Sequence, residues 1–338
     1  MISARMGSAA ILVLPALVML TLAGCGSVGV ALGMRTRLDK LPVTAVSATL
    51  SPQSSLNPGK SGRLVIVATG SDGKTWTTVG AGHGTVLFDS FELESTVVKV
   101  NSSGVVALPA DPRVSSGKSA RVHITVVGHP DIQADLDVPV KYNVAFVAHF
   151  PGASGNDGFS GTDGLSGVDG TPGSMDLSNP QAGGSGGNGS NGSDGGSGGD
   201  GFPGQTIHVW VTMQAGPEHL IQVRAQGSGN REEFFLVDPD GGSLSIDANG
   251  GEGGRGGKGG RGGRGGSGGI GSPNGVSGSS GMDGSDGLPG SEGPPGKIIV
   301  AIDPAAETYR DKLHFSTHGR GRAGPAAEFH TESVSPLW

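Results

Sequence analysis

The stretch GGEGGRGGKGGRGGRGGSGG, residues 250–269, places glycine at two of every three positions and mostly charged residues at the third. It belongs to one of four runs of 22 residues in which a glycine recurs at every third position. We call them run 1 to run 4, and they cover residues 152–173, 183–204, 250–271 and 275–296. A flexible linker requires neither a fixed period nor a fixed length, so four equal runs indicate segments that pack side by side.

A period of three residues is the repeat of the polyproline II helix, and at about 3.1 Å per residue each run is predicted to form a rod of about 65 Å. Such a rod has three faces. In runs 2 and 3 the face that follows the period-three glycines is also mostly glycine, whereas in runs 1 and 4 it carries side chains such as Phe159, Leu165 and Met282. Because glycine has no Cβ, bare faces let backbones approach closely. Runs 2 and 3 are therefore predicted to be the inner rods.

The period-three glycines are the predicted contacts between rods. Those at the start, middle and end of the runs are Gly152, Gly161, Gly173, Gly183, Gly192, Gly204, Gly250, Gly259, Gly271, Gly275, Gly284 and Gly296. The third face of run 3 carries a basic stripe, which consists of Arg255, Lys258, Arg261 and Arg264. We expect this stripe beside an Asp-rich face of run 1 or run 4, where exposed ion pairs of about 0–1 kcal/mol each would set register rather than stability. The stripe is also a candidate anion-binding site.

Three structures compete for the four runs. A bundle within one chain resembles the glycine-rich polyproline II bundles of the snow flea antifreeze protein and of phage adhesin tips. A collagen-like triple helix between chains is the second, but collagen needs far more proline than the few sites near the run ends provide. Disorder is the third. The short interruptions between runs are typical of hairpins, so the intrachain bundle is favoured.

The N-terminus has the pattern of a secretion signal. Arg5 precedes the apolar stretch SAAILVLPALVMLTLAG, which predicts a signal peptide over 1–24. The stretch ends in LAGC with the single cysteine, Cys25, and this motif resembles the lipobox of bacterial lipoproteins. The resemblance implies cleavage before Cys25 and a diacylglycerol on its sulfur. Gly26 in place of Asp implies the outer membrane of the cell envelope, with the exposed face left open.

The segments outside the runs are predicted to be mostly β. After a lipid-anchored tether, residues 25–42, short period-two segments predict a β-sandwich over 43–143. The sequences LSPQSSLNPGKSGRLVIVAT and ESTVVKVNSSGVVAL resemble bacterial immunoglobulin-like domains. Strand patterns around the runs predict a small β platform over 144–304 that carries the four rods, and 305–338 is predicted to be a C-terminal strand and tail.

Several motifs suggest chemistry that their context does not support. ATGSDGKT, residues 68–75, fits a loose phosphate-binding loop, but no helix follows it, and Asp72-Gly73 is better interpreted as a hairpin turn. The basic stripe resembles RGG boxes, but it lacks interleaved aromatic residues, and the net charge of −7 also disfavours nucleic acid. Asp residues six apart on a rod lie about 19 Å from one another, too far to share a calcium ion. His314 and His318 lie in a strand and loop context that disfavours zinc.

The sequence therefore predicts no catalytic residue, no metal and no cofactor. It predicts a non-enzymatic cell-envelope lipoprotein that serves as a rigid spacer or an adhesive surface. Its expected partners are the membrane, through Cys25, and a surface polysaccharide or protein. A glycan- or ice-binding module and a collagen-like trimeric stalk are the alternatives, and the oligomeric state is open. Ice binding needs a flat array of Thr or Ala, whereas the outer faces mix Ser, Asp, Phe and Leu.

Overall fold

The computed structural model describes residues 35–80 and 84–338, and this part of the chain is mostly β. It divides into two compact units, of which unit 1 ends at Val144 and unit 2 extends from Ala145 to Trp338. The predicted signal peptide 1–24, the lipidation site Cys25 and most of the predicted tether lie outside the described residues.

Unit 1 consists of two antiparallel sheets. One has the order β1-β2-β6-β5 with β3 also paired to β2, and the other has the order β4-β7-β8. The strands are β1 Val43–Ser51, β2 Ser61–Gly70, β3 Thr75–Thr77, β4 Phe91–Thr96, β5 Lys99–Val100, β6 Val105–Ala107, β7 Arg121–Val126 and β8 His129–Asp137. Short 3-10 turns lie at Phe88–Ser90 and Pro112–Val114.

The core of unit 1 contains residues of both sheets. Leu64 and Ile66 of β2 lie in one buried cluster with Val122 and Ile124 of β7. In each strand the buried residues alternate with more exposed ones, which is the pattern of a sheet with one buried face.

The predicted tether over 25–42 is wrong for its last residues. Leu38 is fully buried in the core of unit 1, and the backbone N–H of Thr36 donates to the carbonyl of Thr85. Between residues 35 and 42 the sequence contains only Leu38 and Leu41 as large apolar residues, too few to show a period. Burial of Leu38 removes apolar surface from water, and this draws the segment onto the unit.

Unit 2 contains a five-stranded sheet, a three-stranded sheet and a short hairpin. The sheet orders are β12-β11-β10-β14-β18 and β15-β13-β9, and β16 pairs with β17. The strands are β9 Ala145–His149, β10 Thr206–Met213, β11 Ile221–Gln226, β12 Glu232–Val237, β13 Ser243–Asp247, β14 Lys297–Ile302, β15 Leu313–Ser316, β16 His318–Gly319, β17 Arg322–Ala323 and β18 Glu328–Thr331. Short 3-10 turns lie at Ser228–Asn230 and Glu307–Lys312.

The two larger sheets of unit 2 share one core, in which Val209 and Val300 are buried with Ile246. The predicted end of the platform at 304 is wrong, because β15 belongs to one of these sheets and β18 to the other. The periodicity of β15 and β18 is too short to assign them to a sheet from the sequence alone.

The four glycine-rich runs contain neither helix nor strand and connect the ends of these strands. Run 1 follows β9 and run 3 follows β13, whereas run 2 leads into β10 and run 4 into β14. The strands β9 and β13 pair in parallel, as do β10 and β14. Runs 1 and 3 therefore leave the sheets side by side in the same chain direction, and runs 2 and 4 enter them side by side in the same chain direction.

The sheets set the register of the runs. His149 lies opposite Asp247 in the pairing of β9 with β13. The hydrogen bonds continue this strand register beyond the strands, where Phe150 N donates to Asp247 O at 2.9 Å and Gly152 N to Asn249 O at 2.8 Å. It is kept to the far end of the runs, where Gly173 N donates to Ile270 O at 2.7 Å.

Candidate functional site

Backbone hydrogen bonds join each run to its neighbours at every third residue. The period-three glycines of run 1 donate to run 3 and the asparagine before it, in the same direction, at 2.7–2.8 Å. Those of run 2 donate in the same way to run 4 and the proline before it, at 2.9–3.0 Å. Antiparallel bonds of 2.8–2.9 Å join run 2 to run 1, run 3 to run 2, and run 4 to run 3. Runs 2 and 3, which were predicted to be inside, are thus the ones bonded to all three others.

The spacing of the runs leaves no room for side chains at the period-three positions. A Cβ added to Gly161 would lie 2.1 Å from the carbonyl oxygen of Ser193, and one on Gly259 would lie 2.0 Å from that of Gly284. For the twelve glycines predicted as contacts the nearest atom is always a backbone atom, at 1.9–2.5 Å. Real Cβ contacts do not come under 3.0 Å, so each of these positions requires glycine.

The acidic residues of run 1 bond to the backbone of run 3, not to its basic side chains. The Oδ1 atoms of Asp157, Asp163 and Asp169 accept hydrogen bonds of 2.7–2.8 Å from backbone N–H groups of run 3. The donors are those of Arg255, Arg261 and Ser267. The expectation that ion pairs set the register of these runs is therefore wrong for run 1.

Run 2 makes the same contact to run 4 with amides as well as carboxylates. Oδ1 of Asn188, Asn191, Asp194 and Asp200 accepts at 2.7–2.8 Å from the N–H groups of Ser279, Met282, Ser285 and Ser291. Asn and Asp share the acceptor Oδ1 but not the charge. The contact thus requires a side-chain oxygen at this distance from the backbone, and it does not require a negative charge.

These contacts predict a difference between two triple variants of run 1. Changing Asp157, Asp163 and Asp169 to Ala removes three acceptors, and we expect a loss of about 3 kcal/mol in the free energy of unfolding of the runs at about 1 kcal/mol per bond. Changing the same residues to Asn keeps the acceptors and should cost less than about 1 kcal/mol. Urea unfolding of unit 2 measures both. Equal losses in the two variants would contradict the backbone role.

The runs present two different sides. Run 2 lies in the middle of one side, because Leu165 N donates to Ser190 Oγ at 2.7 Å and Met282 N to Asn191 Oδ1 at 2.8 Å. We call this the apolar side, since it exposes Phe159, Leu165, Val168, Val276, Met282 and Leu288. Run 3 lies in the middle of the other, the charged side, which carries the basic stripe between Asp157, Asp163 and Asp169 of run 1 and Asp283 and Asp286 of run 4.

The charged side contains one ion pair of the basic stripe. Lys258 Nζ lies 2.5 Å from Asp286 Oδ2, and this hydrogen bond raises the pKa of Lys258. The hydrogen bond to Lys258, and then that from Gly259 N–H, lowers the pKa of Asp286. Among the described residues, the side chains of Arg255, Arg261 and Arg264 form no ion pair. The carboxylates on both flanks reduce the positive potential of the stripe, which weakens its candidacy as an anion site.

The pair of Lys258 and Asp286 predicts that the free energy of unfolding decreases at both acidic and alkaline pH. Asp286 has a lower pKa when folded, so the stability it contributes is complete above about pH 4 and lost as the pH falls through its folded pKa. Lys258 has a higher pKa when folded, so its contribution is complete below about pH 10 and lost as the pH rises through its folded pKa. Urea unfolding at stepped pH should show both losses in the natural chain. In Asp286→Asn the alkaline loss should shrink, and an unchanged alkaline limb would refute the pairing.

The other predicted motifs are placed apart from the runs. Residues 68–75 form the end of β2, a turn and the start of β3, and Thr69 pairs with Thr75. Gly70 N donates to Lys74 O at 2.8 Å, so the prediction of a hairpin turn at Asp72-Gly73 is confirmed. His314 lies in β15 and His318 in β16. Within residues 35–80 and 84–338, no group of three or more His, Cys, Asp or Glu residues could hold a metal ion.

Sequence reasoning missed a second polar and aromatic surface, on the outer face of the five-stranded sheet. Val209 and Val211 of β10 are buried, so Trp210 between them faces outward beside Arg224 of β11. The alternation in IHVWVTM was the available signal, because it places His208, Trp210 and Thr212 on one face. Residues 332–337 of the C-terminal segment also reach this face, but their sequence shows no such alternation.

Comparison with protein-family models gave no match, and neither did comparison with curated proteins or with solved structures. No helix in the described part of the chain has the length and apolar character needed to cross a bilayer.

Proposed function

We propose that the protein is a non-enzymatic lipoprotein of the bacterial cell envelope, in which the four runs form a polyproline II bundle that serves as a rigid, adhesive binding surface. Unit 1 is, in this proposal, an immunoglobulin-like sandwich near the membrane. The bundle stands on the two sheets of unit 2, and Cys25 carries the lipid that holds the chain to the outer membrane.

The bundle is supported by the period of its contacts. The backbone bonds repeat at every third residue in all four runs, as expected of a threefold helix. They form within one chain and occupy the glycine N–H groups that a collagen-like trimer would use between chains. Since backbone groups supply the cohesion, the non-glycine side chains need no core and are left on the surface.

The observation that carries the adhesive role is the exposure of large apolar side chains along the apolar side. Phe159, Leu165, Val168, Val276, Met282 and Leu288 are each between 72% and 89% exposed. Exposed apolar groups of this kind, set in rows and flanked by polar residues, mark interaction surfaces. Ser residues alternate with them in run 4, and Thr162 and Thr171 lie among them in run 1, which suits a partner with mixed polar and apolar groups.

The first test combines light scattering with amide exchange on the chain with Cys25→Ser. We expect a monomer whose glycine amides in 152–296 are protected. A trimer that melts to monomers would favour the collagen-like stalk, and unprotected glycines in an expanded monomer would refute the bundle.

The adhesive role is tested separately with Phe159→Ser, Leu165→Ser and Leu288→Ser in one chain. These side chains contact little, so we expect unchanged stability. Cells that carry the variant should adhere less to surfaces coated with polysaccharide or protein. The matched control is Lys258→Ser on the charged side. Equal adhesion of the natural chain and the apolar-side variant would leave only the spacer role.

The lipid anchor has its own prediction. Cys25→Ser should leave the chain without acyl groups, so it should move almost completely from the membrane fraction to the soluble fraction, because stable anchoring requires more than one acyl chain. Metabolic labelling with a radioactive fatty acid and cell fractionation measure this. Gly26→Asp, which keeps Cys25, should retain the label and change the membrane in which the protein is found. A labelled Cys25→Ser chain would refute the lipobox.

A further inference from the structure

The outer face of the five-stranded sheet contains a cavity that the runs do not reach. Its volume is about 300 Å³, and it is lined by Trp210 of β10, Arg224 of β11 and residues 332–337. This volume is at the lower limit of small-molecule sites, which suits a ligand of one ring.

The segment 332–338 is held across this face by hydrogen bonds at both ends. Val334 N donates to Asp303 Oδ2 at 3.0 Å, and Thr212 Oγ1 donates to Val334 O at 3.1 Å. Further along, Leu337 N donates to Gln222 Oε1 at 3.2 Å. Thr212 and Gln222 face outward from the sheet and are nevertheless buried, consistent with the segment lying over them. The segment thus forms a fixed wall of the cavity.

The floor of the cavity combines an aromatic ring with a guanidinium whose charge is balanced. The guanidinium carbon of Arg224 lies 4.7 Å from the centre of the Trp210 ring. Nη2 of Arg224 donates to Glu232 Oε1 at 2.6 Å, so a carboxylate already neutralises this side chain. Glu332 adds a second carboxylate to the lining. An anionic ligand would therefore find no uncompensated positive charge here.

One donor at this site has no acceptor. In the described part of the chain, Arg224 Nε is buried and forms no hydrogen bond. This atom has no accessible surface, so a ligand can reach the outer part of the Arg224 guanidinium but not Nε. Ser333 and Ser335 add hydroxyl groups to the wall.

We propose that this cavity binds one uncharged sugar residue, whose ring packs on the Trp210–Arg224 floor and whose hydroxyls bond to the accessible edge of the Arg224 guanidinium and to the 332–337 wall. A sugar ring combines an apolar C–H face with neutral hydroxyls, and these match an aromatic floor and polar walls without net positive charge. The site lies on the sheet and not on the runs, so it does not depend on the proposed adhesive role of the bundle.

The test uses the full chain with Cys25→Ser and titrates it calorimetrically with glucose, galactose and N-acetylglucosamine, with glucuronic acid as an anionic comparison. We expect saturable binding of at least one neutral sugar with a dissociation constant on the order of 1 mM, as befits so small a ligand. Trp76→Phe combined with Trp338→Phe removes the two tryptophans that do not line the cavity, so fluorescence quenching can then report on Trp210.

Arg224→Lys keeps the positive charge beside Glu232 and removes the guanidinium from the floor, and we expect at least tenfold weaker binding. Arg231→Lys is the matched control, since Arg231 also pairs with a glutamate at 2.6 Å and lies over an aromatic ring but does not line the cavity. That control should bind like the natural chain. Absence of binding to any neutral sugar by a folded chain, preference for glucuronic acid, or equal losses in the two variants would each overturn the proposal.

Discussion

Gly195→Ala is expected to separate the runs, whereas Gly196→Ala in the next position is expected to be tolerated. A Cβ on Gly195 would lie 2.1 Å from the carbonyl oxygen of Gly257. Neither backbone can yield locally, because each is bonded to further runs on its other faces. We expect a loss of about 3–5 kcal/mol in the free energy of unfolding, the range of severe overpacking. Amide exchange of residues 183–204 and 250–271 should rise with it.

Gly196 offers a control with the same substitution in the same run. Its Cβ would lie 3.2 Å from Phe159 N, a contact that a small shift relieves. The methyl group also reduces the freedom of the unfolded chain, which offsets part of the strain. We expect a change of less than about 1 kcal/mol. Similar losses in Gly195→Ala and Gly196→Ala, measured by urea unfolding and amide exchange, would show that the close backbone approach does not decide stability.

Deletion of the single residue Gly260 is expected to disrupt the half of the runs beyond it. The deletion moves Arg261 into the position of Gly260, where the Cβ would be 1.9 Å from the carbonyl oxygen of Thr162. Arg264, Ser267 and Ile270 would move in the same way into the buried positions of Gly263, Gly266 and Gly269. In the polyproline II helix that we propose for the runs, the chain rises about 3.1 Å per residue against an extended maximum of about 3.6 Å, so stretching cannot replace the missing residue within a few positions.

Deletion of the whole triplet Gly260–Gly262 is the control. It is the larger change in sequence, yet glycine returns to every position that requires it. The far part of run 3 slips by one repeat, and the connection over 272–274 takes up the difference. We expect protected amides in 263–271 after the triplet deletion and exchange at the rate of an unfolded chain after the single deletion. Comparable protection in the two chains would refute the requirement that glycine recur at every third position throughout run 3.

The sequence indicated the arrangement of the runs better than their side-chain contacts. The glycine-only faces distinguish runs 2 and 3, because a glycine in the sequence directly indicates a position without a Cβ. The sequence does not show which group of Arg255 binds Asp157. A carboxylate on a neighbouring run can reach either the guanidinium or the backbone N–H of Arg255. Only the distance between runs decides this, and at 2.7 Å the backbone is the partner.

The surface around Trp210 illustrates what sequence could not provide. The period of β10 places Trp210 outward, but its neighbours come from distant parts of the chain. The segment 332–338 has no period, and two of the buried side chains that hold it, Thr212 and Gln222, lie more than 100 residues earlier. Leu38 is a similar case, since two leucines in a short polar stretch carry no indication of the core that Leu38 enters.

The shared direction of runs 1 and 3 has a mechanical consequence. Their backbone bonds all cross between the same two segments at equal intervals, and both segments continue into paired strands of one sheet. Traction along the runs loads these bonds together in shear, so no single bond bears the force alone. A sideways pull at the far end would instead open them one after another. The runs therefore resist tension along their length better than peeling, a property that would suit the proposed adhesive role.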